Sequence, residues 1–162
     1  MPVLRLSVAE DVIVCLSNLN INECSSTPMG CFKHPIFFKG ERIMLELYSL
    51  NINVDQNSAI PLNNTSIFKG TTATHNAPAT IELNKAGVYM IHCNASVTPA
   101  AAGTVGIQLA KNNVLELGSS SIATGVAAQT TTLGIDALVQ VRDNNTCCCN
   151  TSPTTIQIMN IS

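Results

Sequence analysis

The segment GVYMIHCNASVT, residues 87 to 98, sets a histidine directly beside a cysteine. A thiol next to an imidazole is a nucleophile with its base when the two side chains can touch. On a strand they cannot, because neighbouring side chains leave on opposite faces. Tyr89, Ile91, Cys93, Ala95 and Val97 make one uniformly apolar face, while Val88, Met90, His92, Asn94, Ser96 and Thr98 make a second that begins apolar and becomes polar. This alternation predicts a long strand covered on both sides, with Cys93 among core residues and His92 on a face covered only in part.

The other groups able to do chemistry are dispersed. His34 and His75 lie in loop-like surroundings with no third group marked by a motif, and Glu46, Glu82, Glu116 and Asp136 are scattered along the chain. A two-carboxylate site would need a proximity that the spacing does not supply. No Gly-rich phosphate loop, H-E-x-x-H or G-x-S-x-G occurs. The sequence therefore predicts a protein that is not an enzyme, with no catalytic residues and no cofactor.

Seven cysteines stand at Cys15, Cys24, Cys31, Cys93 and the run Cys147, Cys148, Cys149. Their odd number argues against a closed disulfide framework. Zinc needs ligands that converge, such as paired C-x₂₋₄-C units, and the Cys24 to Cys31 separation is too wide for that. Three consecutive cysteines on a strand would point to alternate faces. The expectation is reduced thiols without metal, Cys93 acting as a small apolar residue.

The elements that would position these groups follow from composition and period. Of 162 residues, 46% are hydrophobic and 11% charged, with a net charge of −2. That is enough apolar material for one domain with a real core. It gives no electrostatic reason to expect nucleic acid or an anionic membrane surface as a partner. The first twenty residues hold Arg5 but interrupt their apolar run with Ser7, Glu10 and Asp11, so neither a signal-peptide core nor a membrane span is expected. Synthesis in the cytoplasm is therefore the expectation. The Asn-x-Ser/Thr triplets at Asn63, Asn64, Asn94, Asn144, Asn150 and Asn160 are then chance products of an Asn- and Thr-rich chain.

Strand signals succeed one another with turn signals between them, and no helical period emerges. Residues 43 to 54 alternate through Ile43, Leu45 and Leu47, then resume at Tyr48, Leu50, Ile52 and Val54, a slip that predicts a bulge or a crossing between sheets. Further strands are predicted over 79 to 83, 104 to 110, 114 to 117, 135 to 142 and 155 to 161. Lys111-Asn112-Asn113 and Asp143-Asn144-Asn145 read as hairpin connections, since Asn and Asp tolerate the left-handed backbone of tight turns. Such a pattern means an all-β antiparallel sandwich or barrel, with a jelly roll as the favoured form and an immunoglobulin-like sandwich as its rival.

Residues 1 to 42 differ from the jelly-roll region of 43 to 162. They hold a turn-rich patch, CSSTPMGCFKHP, and paired apolar runs, VLRLSV and DVIVCL. Val3, Leu4, Leu6, Val12 and Val14 would make a sticky arm if they met only water, so an amino-terminal extension for anchoring or assembly is expected.

From residue 60 onward the order IPLNNTSIFKG, ATIELNKAGVYMIHCNASVTP, GTVGIQLAKNN, IDALVQVRDNNTCCCNTSPTTIQIMNIS resembles the tumour-necrosis-factor-like and complement-globular-head jelly roll. It is similar to the small versions encoded by phages and prophages of Gram-positive bacteria. The block from Gly87 to Tyr89 that leads into a long strand carries most of the likeness. The resemblance implies a homotrimer in which one sheet of each copy faces the threefold axis. Val88 and Met90 on the second face of their strand agree with that, because a solvated outer face should be polar. They would form a trimer interface with His92 and Asn94. Two functions fit: a virion component that decorates a capsid or builds a head fibre through its amino-terminal arm, or a receptor-binding head that takes a cell-surface glycan.

Overall fold

In a computed structural model, the structure describes residues 45–142 and 153–162 in full, together with the backbone of 15–19 and 44. The Asp143-Asn144-Asn145 turn, the Cys147 to Cys149 run, His34, Cys24, Cys31 and the proposed anchoring residues Val3, Leu4, Leu6, Val12 and Val14 lie outside the described residues.

The alternation over residues 88 to 98 becomes strand β6, Gly87–Val97, with Tyr89, Ile91, Cys93, Ala95 and Val97 all fully buried. Around it the described residues form β1 (Cys15–Leu19), β2 (Met44–Tyr48), β3 (Asn64–Lys69), β4 (Ala73–Ala77) and β5 (Thr80–Leu83) before it in the chain. After it come β7 (Gly103–Lys111), β8 (Val114–Gly125), β9 (Thr131–Val141) and β10 (Thr154–Asn160). The fold is all-β, and every strand pairing among the described residues is antiparallel. One sheet has the order β1-β6-β9, a second β4-β5-β10-β7-β8, and β2 pairs with β3. Inward residues of the first two sheets, among them Tyr89, Ile91, Ile107, Leu109, Ile135 and Ile158, join in one apolar core.

Three readings of the sequence need correction. The strand expected over 43 to 54 ends at Tyr48, with its register shift between Glu46 and Leu47. Beyond it Leu50 turns to solvent, while Val54 is buried and Ile52 packs against the core. The short strand expected over 114 to 117 runs on to Gly125 through GSSSIATG, which is polar and small and so carries no apolar period. His75 sits on strand β4, not in a loop, and its Nε2 lies 3.3 Å from the Pro78 carbonyl oxygen. Five residues of the amino-terminal segment also belong to a sheet: β1 pairs with β6 from Cys15 opposite His92 to Leu19 opposite Val88.

The hairpin at Lys111 to Asn113 narrows to the two residues Asn112 and Asn113, with φ of 51° and 62°. Two successive left-handed residues are the I′ geometry that matches strand twist. Asn112 also accepts a hydrogen bond from the Thr155 amide through Oδ1 at 2.9 Å, tying the turn to β10. Asn113→Gly is therefore expected to hold or raise stability. Asn113→Val should lower it by about 1 to 2 kcal/mol, the cost of forcing a branched side chain into the left-handed region. Urea melts of the two variants check the sign.

Candidate assembly face

The outer face of the β1-β6-β9 sheet gathers the residues singled out in the sequence. Along β6 and β9 the register sets Val88 opposite Gln140, Met90 opposite Leu138, His92 opposite Asp136 and Asn94 opposite Gly134. Met90 is 44% exposed and Leu138 68% exposed, so the cross-strand pair is an apolar step open to solvent. Val88, His92 and Asn94 are half-buried. Leu138 was not singled out in the sequence; its signal was there, since it falls out of phase with Ile135, Val139 and Val141.

Beside the apolar pair lies a chain of three polar side chains. His92 Nδ1 is 2.5 Å from Asp136 Oδ1, and Asn94 Nδ2 is 2.9 Å from His92 Nε2. With Nδ1–H donated to the carboxylate, Nε2 accepts from the Asn94 amide, and the ring is held at both nitrogens. Gly134 makes room for this, since a Cβ there would stand 3.1 Å from Asn94 Oδ1. His92 and Asn94 thus bond to each other and to Asp136 within one chain. Asp136, isolated in the sequence, is brought to His92 by strand pairing alone.

His92 and Cys93 do point to opposite faces, the cysteine into the core. Burial pushes the Cys93 thiol up to about 12, so no thiolate forms near neutral pH. Its ring neighbour has both nitrogens occupied, which leaves the pair without a nucleophile or a free base. Cys93 is expected to resist thiol reagents in the folded protein and to react on unfolding, as peptide mass mapping after alkylation would show. Among the described residues no group of three or more His, Cys, Asp or Glu is placed to hold a metal ion. No helix among them is long and apolar enough to cross a membrane.

A cleft of about 300 Å³ opens between β8 and the edge that β9 turns away from β6. It exists because β8 bulges: Gln108 pairs with Ser120 but Ala110 with Leu115, so Glu116 to Ser119 are set against Leu109 alone. Gly118 takes φ of 82°, and the Glu116 carbonyl accepts from Gln108 Nε2 and Ser119 Oγ, each at 2.8 Å. Leu117, at the tip, is 95% exposed. The edge of β9 is capped by side chains, Lys111 Nζ donating to the Gln140 carbonyl at 2.8 Å and Ser121 Oγ accepting from the Gly134 amide at 3.3 Å. Capping of this kind guards an edge strand against unwanted pairing.

No family model matches the chain, and no curated protein matches it.

Proposed function

We propose that the chain is a non-enzymatic structural protein of a phage particle, a homotrimeric capsid decoration or head-fibre protein. In this reading it folds as a jelly roll of the tumour-necrosis-factor-like kind, and residues 1–42 anchor it to a capsid or other virion protein. The observation that carries the assembly part is the Met90–Leu138 pair, exposed on β6 and β9 on a face that a lone domain would keep polar. Antiparallel sheets meeting in one core agree with the jelly roll. The virion context comes from the sequence resemblance. A second reading, a head that binds a cell-surface glycan, draws on the β8–β9 cleft, where Glu116, Asp136 and Gln140 stand beside Leu117. Polar acceptors next to an apolar surface suit a ligand rich in hydroxyl groups. Mass spectrometry of purified virions, with labelled antibody to place the chain on the particle, tests the first reading. Absence from virions combined with binding to cell-wall glycan would favour the second.

A further inference from the structure

The Asp136–His92–Asn94 chain lies on the face through which the copies are proposed to meet. Resting on that assembly reading, we propose that these three residues make self-association proton-dependent, with assembly tightening as the pH falls through the range in which imidazoles titrate. In a single copy, the His92 and Asp136 side chains are 36% and 67% exposed, and water screens the carboxylate. A neighbouring copy laid over the face removes that water. With a neutral imidazole the pair then carries one uncompensated negative charge, repeated in every copy, whereas a protonated imidazole makes it neutral overall. Burying an unpaired charge costs far more than burying a close, hydrogen-bonded ion pair.

Assembly therefore holds the His92 proton more tightly than the separate chain does. By linkage, a group that binds its proton better in the assembled state strengthens association at low pH, and this contribution is lost as pH rises. Asn94 lets the proton arrive without breaking the network, since its amide offers Nδ2 to a bare Nε2 and Oδ1 to a protonated one. Gly134, without a side chain, leaves the space beside that amide.

Among the described residues few other groups compete. Val88, Met90, Asn94 and Ser96 on β6 do not titrate, nor do Thr132, Leu138 and Gln140 on β9. The register partner of His92 on β1 is Cys15. Glu116 and Lys111 line the same cleft as Asp136, and Lys111 Nζ is engaged with the Gln140 carbonyl at 2.8 Å.

Sedimentation of the full chain and of His92→Gln and Asp136→Asn variants, from about pH 5 to 8 where histidine changes charge, tests this. The unsubstituted chain should lose up to about tenfold in association per chain for each pH unit gained. His92→Gln should be level across the range, whereas Asp136→Asn, which keeps the imidazole without its counter-charge, should lose the rise toward low pH or reverse it, and should associate at high pH at least as well as the unsubstituted chain at low pH. Association that is present but flat in the unsubstituted chain overturns the proton coupling and leaves the assembly reading standing. A slope that survives in His92→Gln also overturns it. Failure of all three proteins to associate at any pH removes the assembly reading itself.

Discussion

A variant carrying Met90→Lys and Leu138→Lys should run as a monomer at micromolar concentration, where the unsubstituted chain is expected to be a trimer, and should keep its far-ultraviolet spectrum. Both side chains point out of the sheet and are well exposed in the single copy. Changing an exposed side chain away from special features moves fold stability by only about ±0.5 kcal/mol. Within an assembly the same substitutions would place unpaired ammonium groups in a surface stripped of water. Each is worth about 3 to 5 kcal/mol, beyond a hundredfold in affinity. Light scattering paired with a thermal melt separates the two effects. A double variant that stays trimeric would move the interface elsewhere, and an unsubstituted chain of monomeric mass would end the proposal of assembly.

The residues behind that prediction show what could be read from the sequence. Strict alternation over 88 to 98 was enough to place β6, its buried face and the odd status of Met90, because one face is packed along its whole length. Strands β7 and β10 were legible for the same reason. Strand β3 was not: all six of its residues are exposed, so no burial pattern exists for the sequence to record. The later part of β8 does alternate, with Ser119, Ser121, Ala123 and Gly125 turned inward, but its inward residues are small and its one large apolar residue, Ile122, is exposed, so no apolar period marks it in the sequence. The bulge at Glu116 to Ser119 left a faint mark in Gly118, but nothing local states that four residues will oppose one.

The polar chain on the outer face was only half legible. His92 and Asn94, two apart on one strand, announce a shared side. Asp136 joins them through the register of β6 with β9, a distance of 44 residues along the chain that no local pattern can span. The buried Asn160 belongs to the same category. In the sequence it is one asparagine among many, and its environment depends on a segment more than a hundred residues earlier.

Replacing Asn160 by Leu should lower stability by about 2 to 4 kcal/mol although it puts an apolar residue of similar size into an apolar core. Asn160 is fully buried, and its Nδ2 donates to the carbonyls of Val54 and Asp55, each at 3.1 Å. Its Oδ1 accepts from the Ser162 amide at 3.1 Å. Backbone bonds from Asn160 to Ser58 and from Asn57 back to Asn160 hold the same segment, so this one residue fastens 54–58 across β10. Leucine would keep the backbone bonds but leave the Val54 carbonyl without its donor inside the protein, and a buried unpaired group costs about 1 to 3 kcal/mol. Asn160→Asp should do more damage near neutral pH, since a carboxylate would face two carbonyl oxygens with no donor to offer. Burial and those oxygens would raise its pKa in the folded state above the unfolded value, so the folded protein would bind the proton more strongly. Stability of that variant should rise as pH falls through the raised pKa, when the acid can donate to one carbonyl. Urea unfolding at two pH values, with Ile158→Val as a measure of plain core loss, distinguishes the outcomes. If Asn160→Leu costs no more than Ile158→Val, the side-chain bonds contribute nothing to holding 54–58, and the backbone pair alone secures it.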